Sequence, residues 1–117
     1  MSPRLKQPEF WILTVLNRGR SHGYDIMQRA SQESHGDVAL KVTTLYATLE
    51  RMSDQGLIAP DGQEVISGRA RQYFVITPEG AHRLSREVTA LEHSLQAARA
   101  SLESSTGAGL RPGIIGA

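Results

Sequence analysis

A polar, partly cationic series in the middle of the sequence carries the side chains with the clearest chemistry. Its members are Lys41, Thr43, Thr44, Ala47, Thr48 and Arg51. Threonine can contact phosphates or thymine methyls, and Lys or Arg can bind phosphates or guanine. On one helix face this series favours DNA contacts, although a solvated amphipathic face would have the same composition. Tyr46 lies on the flank, where it could pack inward or bond a phosphate.

Two arginines form a second cationic feature. Arg69 and Arg71 follow Gly68 in a polar stretch. In an extended segment, side chains two positions apart leave on the same side, from which they can enter a minor groove or bind phosphates. The alternative is a solvated turn in which the nearby Glu64 neutralises one of them. Helix and arginines together favour double-stranded DNA as a partner.

Other kinds of chemistry have little support in the sequence. There is no cysteine, which excludes disulfides, thiolate zinc sites and cysteine nucleophiles. The four histidines are scattered, and neither a Ser-His-Asp grouping nor a phosphate-binding glycine loop is present. We therefore expect no enzyme activity, no catalytic residue, no metal and no cofactor.

Net charge and hydropathy narrow the class of protein further. The formal net charge of the 117 residues is +1, so any DNA-binding charge must be local. The apolar run at residues 10–16 is too short to span a membrane. We expect a cytoplasmic protein with no membrane partner.

Three helices are predicted ahead of the paired arginines. The first starts near Pro8, after a loose segment at residues 1–7, and ends before Gly19. Ser21 is the predicted cap of the second helix, and Thr43 that of the third. The apolar stripe of the second helix is Tyr24, Met27 and Ala30. The predicted core face of the third helix is Val42, Leu45, Leu49 and Met52.

A hairpin and a long helix follow. A short strand opens at residues 57–58 and another covers residues 73–76, with a long, mobile tip between them. Thr77 and Pro78 start the last helix. Its apolar positions have the heptad spacing of a coiled-coil seam and are Leu84, Val88, Leu91, Leu95, Ala98 and Leu102.

The order of elements predicts a mainly α fold with a small β-hairpin, the winged helix-turn-helix. Its DNA-binding domain would cover residues 8–77, a C-terminal dimerisation helix 78–104 and a flexible tail 105–117. The seam could pack on its own domain. Pairing with a second copy would bury it and set two recognition helices about 34 Å apart, one DNA turn.

Trp11 is the only tryptophan and has two interpretations. It could anchor the core or the dimer interface, or it could form an aromatic plate for a flat ligand.

Four sequence blocks resemble the PadR-type regulators, the phenolic-acid-decarboxylase regulator family. They are SHGYDI at 21–26, VTTLYATLERM at 42–52, QGLI at 55–58 and GRARQYFVITPEG at 68–80. The match covers about residues 8–83. The resemblance implies a dimeric regulator of the short-tailed subgroup, usually a repressor, whose C-terminal helix crosses to the partner. Some members respond to small molecules bound at the dimer interface.

By position, the resemblance implies DNA contacts from both cationic features. The implied residues are Thr43, Thr44, Tyr46, Ala47, Arg69 and Arg71. Two departures concern the family's prolines, which Ala47 and Ala70 replace; the second change predicts a more flexible wing. The long helix has no aromatic residue, so Trp11 would have to supply an effector pocket. The alternative function is a dimeric protein-interaction module that does not bind DNA.

Overall fold

The computed structural model describes residues 4–107. Over this range the chain forms four helices and three strands. In chain order they are α1 (Gln7–Leu16), β1 (Ser21–His22), α2 (Gly23–Glu33), α3 (Val42–Asp54), β2 (Ile58–Ile66), β3 (Arg69–Ile76) and α4 (Pro78–Gly107). Three helices followed by a hairpin confirm the predicted winged helix-turn-helix, with a long C-terminal helix.

The hydrophobic core joins the first three helices to the base of the hairpin. Its fully enclosed side chains, each at most 2% exposed, are Ile12, Leu13, Val15, Leu16, Ile26, Leu45, Leu49, Met52, Leu57 and Ile58. Burying this much aliphatic surface is the main force that holds α3 against α1 and α2. The core therefore fixes which face of α3 remains outside.

The sheet has one strand that the sequence did not predict. Its order is β1-β3-β2, and both pairings are antiparallel. Ser21 lies opposite Phe74, and His22 lies opposite Tyr73. A two-residue strand is too short to show alternation, so only its pairing with β3 defines it.

The hairpin, termed the wing (residues 58–76), has a short turn in place of the predicted long tip. Ile66 pairs with Arg69 across Ser67 and Gly68, whose φ angles are 53° and 79°. Two central residues with positive φ form the type I′ turn that matches strand twist. The prediction of two short strands was wrong, because the strands continue through the polar residues 61–64 and 69–71. Polar residues can pair in a strand that is exposed to solvent.

Helix starts differ from prediction at two places. His22, not Ser21, caps α2: its Nδ1 accepts a hydrogen bond from the Asp25 amide at 3.2 Å. Ser21 belongs to β1. Lys41, not Thr43, is the N-cap residue of α3. Threonine is a common N-cap, but here Thr43 lies inside the first turn of the helix, which begins at Val42.

Two predicted apolar faces are partly wrong. Tyr24 is 43% exposed, and the buried residues of α2 are Gly23, Ile26 and Ala30. Val42 is 56% exposed, whereas the other three residues of the predicted α3 face are buried. Val42 lies in the first turn of α3, beyond the edge of the core.

The start of the described chain is more ordered than predicted. Leu5 is buried in the core, and Arg4 pairs with Glu87 of α4. Arg4 and Leu5 are thus held by tertiary contacts, and residues 1–3 lie outside the described range.

The cap of α4 agrees with prediction. The Thr77 hydroxyl oxygen accepts a hydrogen bond from the Gly80 amide at 3.0 Å. A Cβ on Gly80 would lie 2.0 Å from the Leu57 carbonyl oxygen, so glycine allows a close approach of backbones here.

The C-terminal part of the described chain is helical. α4 ends at Gly107, later than the predicted end at residue 104. The rest of the expected flexible tail, residues 108–117, lies outside the described range. The chain divides into two compact units, one ending at Glu87 and the other beginning at Val88. None of the helices over residues 4–107 is long and apolar enough to cross a membrane.

Candidate nucleic-acid interface

The exposed N-terminal half of α3 is the first part of the candidate interface. Leu45, Leu49 and Met52 are at most 1% exposed and anchor the helix. Because they occupy one face, most of the polar and small residues in this half of the helix lie outside. The predicted DNA-contacting residues that are exposed on this helix and its cap are Lys41, Thr43, Thr44, Tyr46, Ala47 and Arg51.

The first turn of α3 suits an anion. The Lys41 side chain makes no capping hydrogen bond, and no acidic residue lies in that turn. The first amides of an uncapped helix point outward as donors, at the positive end of the helix dipole. Thr43 and Thr44 add hydroxyls beside them, so this end of α3 is polar, cationic and open.

Tyr46 connects α3 to α2. A Cβ on Gly23 would lie 2.4 Å from the Tyr46 hydroxyl oxygen, so the phenol packs directly on the start of α2. Despite this packing, Tyr46 is 39% exposed. The residue therefore packs against its neighbouring helix and also presents surface on the flank of α3. The inward packing given by the sequence is thus seen for the phenol, and a phosphate contact from its exposed part stays a prediction.

One predicted member of the DNA-contacting set is buried, and another is exposed in the last turns of α3 but reaches away from its N-terminal half. Thr48 is only 4% exposed, and its hydroxyl donates to the Thr44 carbonyl at 2.8 Å. The prediction that Thr48 lies on the outer face is wrong, because α3 packs over a wider arc than its apolar residues indicate. Arg51 reaches towards α1, with its Nη2 3.8 Å from Glu9 Oε2.

The wing brings two cations to the surface. Arg69 is exposed next to the turn. Arg71 is half-buried, with its guanidinium carbon 5.2 Å from the centre of the Tyr24 ring. Gln28 donates to the Tyr24 hydroxyl at 2.9 Å, which fixes that ring. A guanidinium over an aromatic face is attracted by the ring quadrupole, so Tyr24 helps to orient Arg71, which lies opposite Glu64 near the turn of the wing.

The acidic residues of the wing pair with a different arginine. Arg20 Nε lies 2.8 Å from Asp61 Oδ2, and Arg20 Nη1 lies 3.4 Å from Glu64 Oε2. The alternative in which Glu64 neutralises a wing arginine is therefore not what the structure contains. Burial raises the pKa of the Tyr73 phenol, and its hydrogen bond to Glu64 adds to this shift.

Arg20 was missed by sequence reasoning. It lies 41 residues from Asp61 along the chain, and no local pattern relates the two. A charged residue next to a two-residue strand forms no recognisable sequence pattern. Its partners become evident only once the strand is paired in the sheet.

The predicted dimer seam of α4 is exposed in the single chain. Val88, Leu91, Leu95 and Leu102 are 40%, 41%, 54% and 69% exposed. Ala98 is exposed as well, and Leu84 packs partly against the core. Four large apolar side chains with heptad spacing are costly to leave in water.

Trp11 lies on α1 and is only partly buried. Its indole nitrogen donates to Gln7 Oε1 at 3.1 Å, and its ring meets Phe10 edge-on at 5.2 Å between centroids. Phe10 packs against the core, so Trp11 is the outer member of the pair.

The described residues contain no cluster of three His, Asp or Glu side chains suited to a metal ion. Of the four histidines, His22 caps the start of α2 through its Nδ1.

Comparison with known proteins identifies relatives of this chain. The model of the family described as transcriptional regulator PadR-like matches residues 12–86. A transcriptional regulator of Mycobacterium tuberculosis is 35% identical over 71 residues, which cover 61% of this chain and 63% of that protein. An uncharacterized protein of Lysinibacillus sphaericus is 31% identical over 77 residues, covering 66% of this chain and 71% of that protein.

Solved structures have the same fold. A PadR family transcription regulator from Clostridium difficile superposes with a TM-score of 0.69 at 24% identity, covering 83% of this chain and 99% of that one. PadR of Bacillus subtilis, solved in complex with operator DNA, gives a TM-score of 0.62 at 21% identity, covering 71% of this chain and 48% of that one. At these identities the likeness concerns the fold.

Proposed function

The chain belongs to the PadR-like family of transcriptional regulators, and we propose that it acts as a homodimeric repressor that binds a near-palindromic operator. The recognition helix is α3, and the wing adds contacts beside it. Membership of a family of regulators also agrees with the expectation that the chain is not an enzyme.

The observation that carries the proposal is the exposed start of α3. Lys41, Thr43 and Thr44 stand outside an uncapped helix end, while the opposite face is anchored in the core. Ala47, also exposed, leaves room for a close approach to base edges. This arrangement supports base and phosphate contacts from α3, and Arg69 and Arg71 support backbone or minor-groove contacts from the wing.

Dimerisation accounts for the apolar seam of α4. A second copy would cover the side chains from Val88 to Leu102 and double the number of phosphate contacts. A two-fold axis also requires an operator whose half-sites are about one helical turn, roughly 34 Å, apart. Sequence specificity then comes from two recognition helices held at one distance.

Release by a small-molecule effector completes the proposal. Trp11, partly buried on α1, is the aromatic surface for a flat ligand, and α4 offers no aromatic of its own. A ligand would act by binding one arrangement of the dimer more tightly than the other. Titration of phenolic acids should then quench Trp11 fluorescence and weaken DNA binding over the same concentration range.

The direct test is binding to a labelled duplex from the promoter of the protein's own gene at several salt concentrations. Three cations per subunit, Lys41, Arg69 and Arg71, predict a slope of log affinity against log salt of about −5 for the dimer. Absence of binding to any duplex at low salt would exclude the proposal and favour a protein-interaction module.

Variants of the wing test its assignment. Replacing Arg69 by Ala should reduce the salt slope by about 2 for the dimer and weaken binding to all duplexes. Arg99→Ala, an exposed arginine of α4, is the matched control and should leave the slope unchanged. Equal slopes for the two variants would mean that the wing does not contact DNA.

A further inference from the structure

One arginine outside the wing binds both of the wing's acidic side chains. Arg20 precedes β1, and its guanidinium lies 3.9 Å from the centre of the Tyr73 ring on β3. From there Nε donates to Asp61 Oδ2 at 2.8 Å, and Nη1 to Glu64 Oε2 at 3.4 Å. A single side chain thus contacts three residues of the wing.

The same arginine supports an irregular part of β2. The register of the β2–β3 pair shifts between Pro60 and Gln63, so Asp61 and Gly62 stand outside the regular ladder. Arg20 Nη2 donates to the Asp61 carbonyl at 2.9 Å. Gln72 Nε2 donates to the Gly62 carbonyl at 2.8 Å. A bulge bends its strand and leaves backbone groups outside the ladder. The Arg20 donor that pairs with the Asp61 carbonyl therefore also helps to fix the direction in which the wing extends from the helices.

Stability alone is a weak reason for this arrangement. The side chains of Arg20, Asp61 and Glu64 are 38%, 50% and 53% exposed. Ion pairs this open to water contribute little to folding. The ion pairs matter more for the local electrostatic field than for folding. Without Arg20, two carboxylates with no counter-charge would lie on the hairpin that carries Arg69 and Arg71. Such charges repel phosphates at close range.

We propose that Arg20 is a positioning residue for DNA binding: it holds the bulge of the wing and neutralises Asp61 and Glu64, without itself contacting DNA. This inference rests on the proposed function. It extends that function by assigning part of the affinity to a residue outside both the recognition helix and the wing.

The test compares four proteins on the labelled promoter duplex: wild type, Arg20→Ala, the triple variant Arg20→Ala with Asp61→Asn and Glu64→Gln, and Arg18→Ala. Arg20→Ala should lower affinity on the order of tenfold, with a Tm within about 2 °C of wild type. The triple variant should recover to within about threefold of wild type. Arg18→Ala is matched, since it removes the same charge and breaks the exposed pair with Glu33; its affinity should change less than about twofold.

Two results on DNA would overturn the inference. One is an Arg20→Ala variant that binds like wild type. The other is a triple variant as weak as Arg20→Ala, since the loss of affinity would then not come from uncompensated charge on Asp61 and Glu64.

A measurement without DNA separates this inference from the proposed function. Hydrogen–deuterium exchange of Arg20→Ala should be faster than that of Arg18→Ala over residues 59–64 and 71–73. If wild type binds no duplex, the proposed function fails, and faster exchange in these segments still supports the role of Arg20 in holding the wing. Unchanged exchange would overturn that role whether or not the protein binds DNA.

Discussion

Arg4 binds Glu87 through its Nε and Nη2 atoms, across 83 positions of sequence. Nε lies 2.9 Å from Oε1, and Nη2 lies 2.8 Å from Oε2. The Leu5 amide adds a third hydrogen bond to Oε1 at 3.2 Å. Glu87 is buried, with Leu5 packed in the core beside it. This bidentate pair joins the start of the described chain to α4.

The first prediction concerns the pH dependence of this pair. The hydrogen bond from Arg4 holds the pKa of Glu87 below its ordinary value, although burial acts in the opposite direction. A carboxylate with a lowered pKa in the folded state stabilises the protein above its unfolded pKa, and this stabilisation disappears as pH falls through the folded pKa. The Tm of wild type should therefore fall below about pH 4.5.

Glu87→Gln isolates this contribution. At pH 7 its Tm should be a few degrees lower than that of wild type, because a neutral amide cannot replace the bidentate carboxylate. The two Tm curves should converge as the pH approaches about 3. A difference that stays constant from pH 7 to pH 3 would mean that ionisation of Glu87 does not contribute.

The second prediction concerns Gly80. Replacing a helical glycine by alanine ordinarily stabilises a protein by up to about 1 kcal/mol. Here the new Cβ would lie 2.0 Å from the Leu57 carbonyl oxygen, which is backbone and cannot easily move. Gly80→Ala should thus destabilise the protein by about 2–4 kcal/mol in urea unfolding. Ser85→Ala, an exposed change on the same helix, should stay within about 0.5 kcal/mol of wild type. An unchanged or increased stability of Gly80→Ala would contradict the close approach.

The third prediction separates two threonines of α3. Thr44 is exposed, whereas Thr48 is buried and donates to the Thr44 carbonyl. Thr44→Ala should weaken binding to the promoter duplex by about 5- to 20-fold with little change in Tm. Thr48→Val keeps the shape and removes only the hydroxyl, so affinity should change less than about twofold. Fluorescence anisotropy measures both. A larger loss for Thr48→Val than for Thr44→Ala would reverse the assignment of the two faces.

The fourth prediction concerns the seam of α4. Leu91 and Leu95 are 41% and 54% exposed in the single chain. Changing both to Asn should give a monomer in light scattering after size exclusion, because the partner would lose its apolar contact. The same substitution at Thr89 and His93, on the opposite face of the helix, is the control and should leave a dimer. A Leu91/Leu95 variant that remains dimeric would mean that other surfaces hold the two copies together.

Local patterns in the sequence predict a helix well where its buried residues repeat at the helical spacing of three to four positions. Leu45, Leu49 and Met52 repeat at helical spacing, and all three are buried in α3. The same rule failed for Tyr24 and Val42, which are apolar but exposed. Periodicity identifies a helix, but the neighbouring elements decide how wide its buried face is. Thr48 illustrates the opposite error, since a small polar residue can pack inside once its hydroxyl bonds within the helix.

The sequence by itself determined the order of the helices and the hairpin, the cap at Thr77 and Pro78, and the apolar spacing of α4, because each depends on residues within a few turns of one another. Tertiary structure alone decided the pairing of β1 with β3, the approach of Gly80 to Leu57, and the partners of Arg4 and Arg20. These contacts join residues tens of positions apart, and their geometry exists only after the core has brought the elements together. A guanidinium can pair with any carboxylate within reach, so its partner is fixed by packing and not by spacing along the chain.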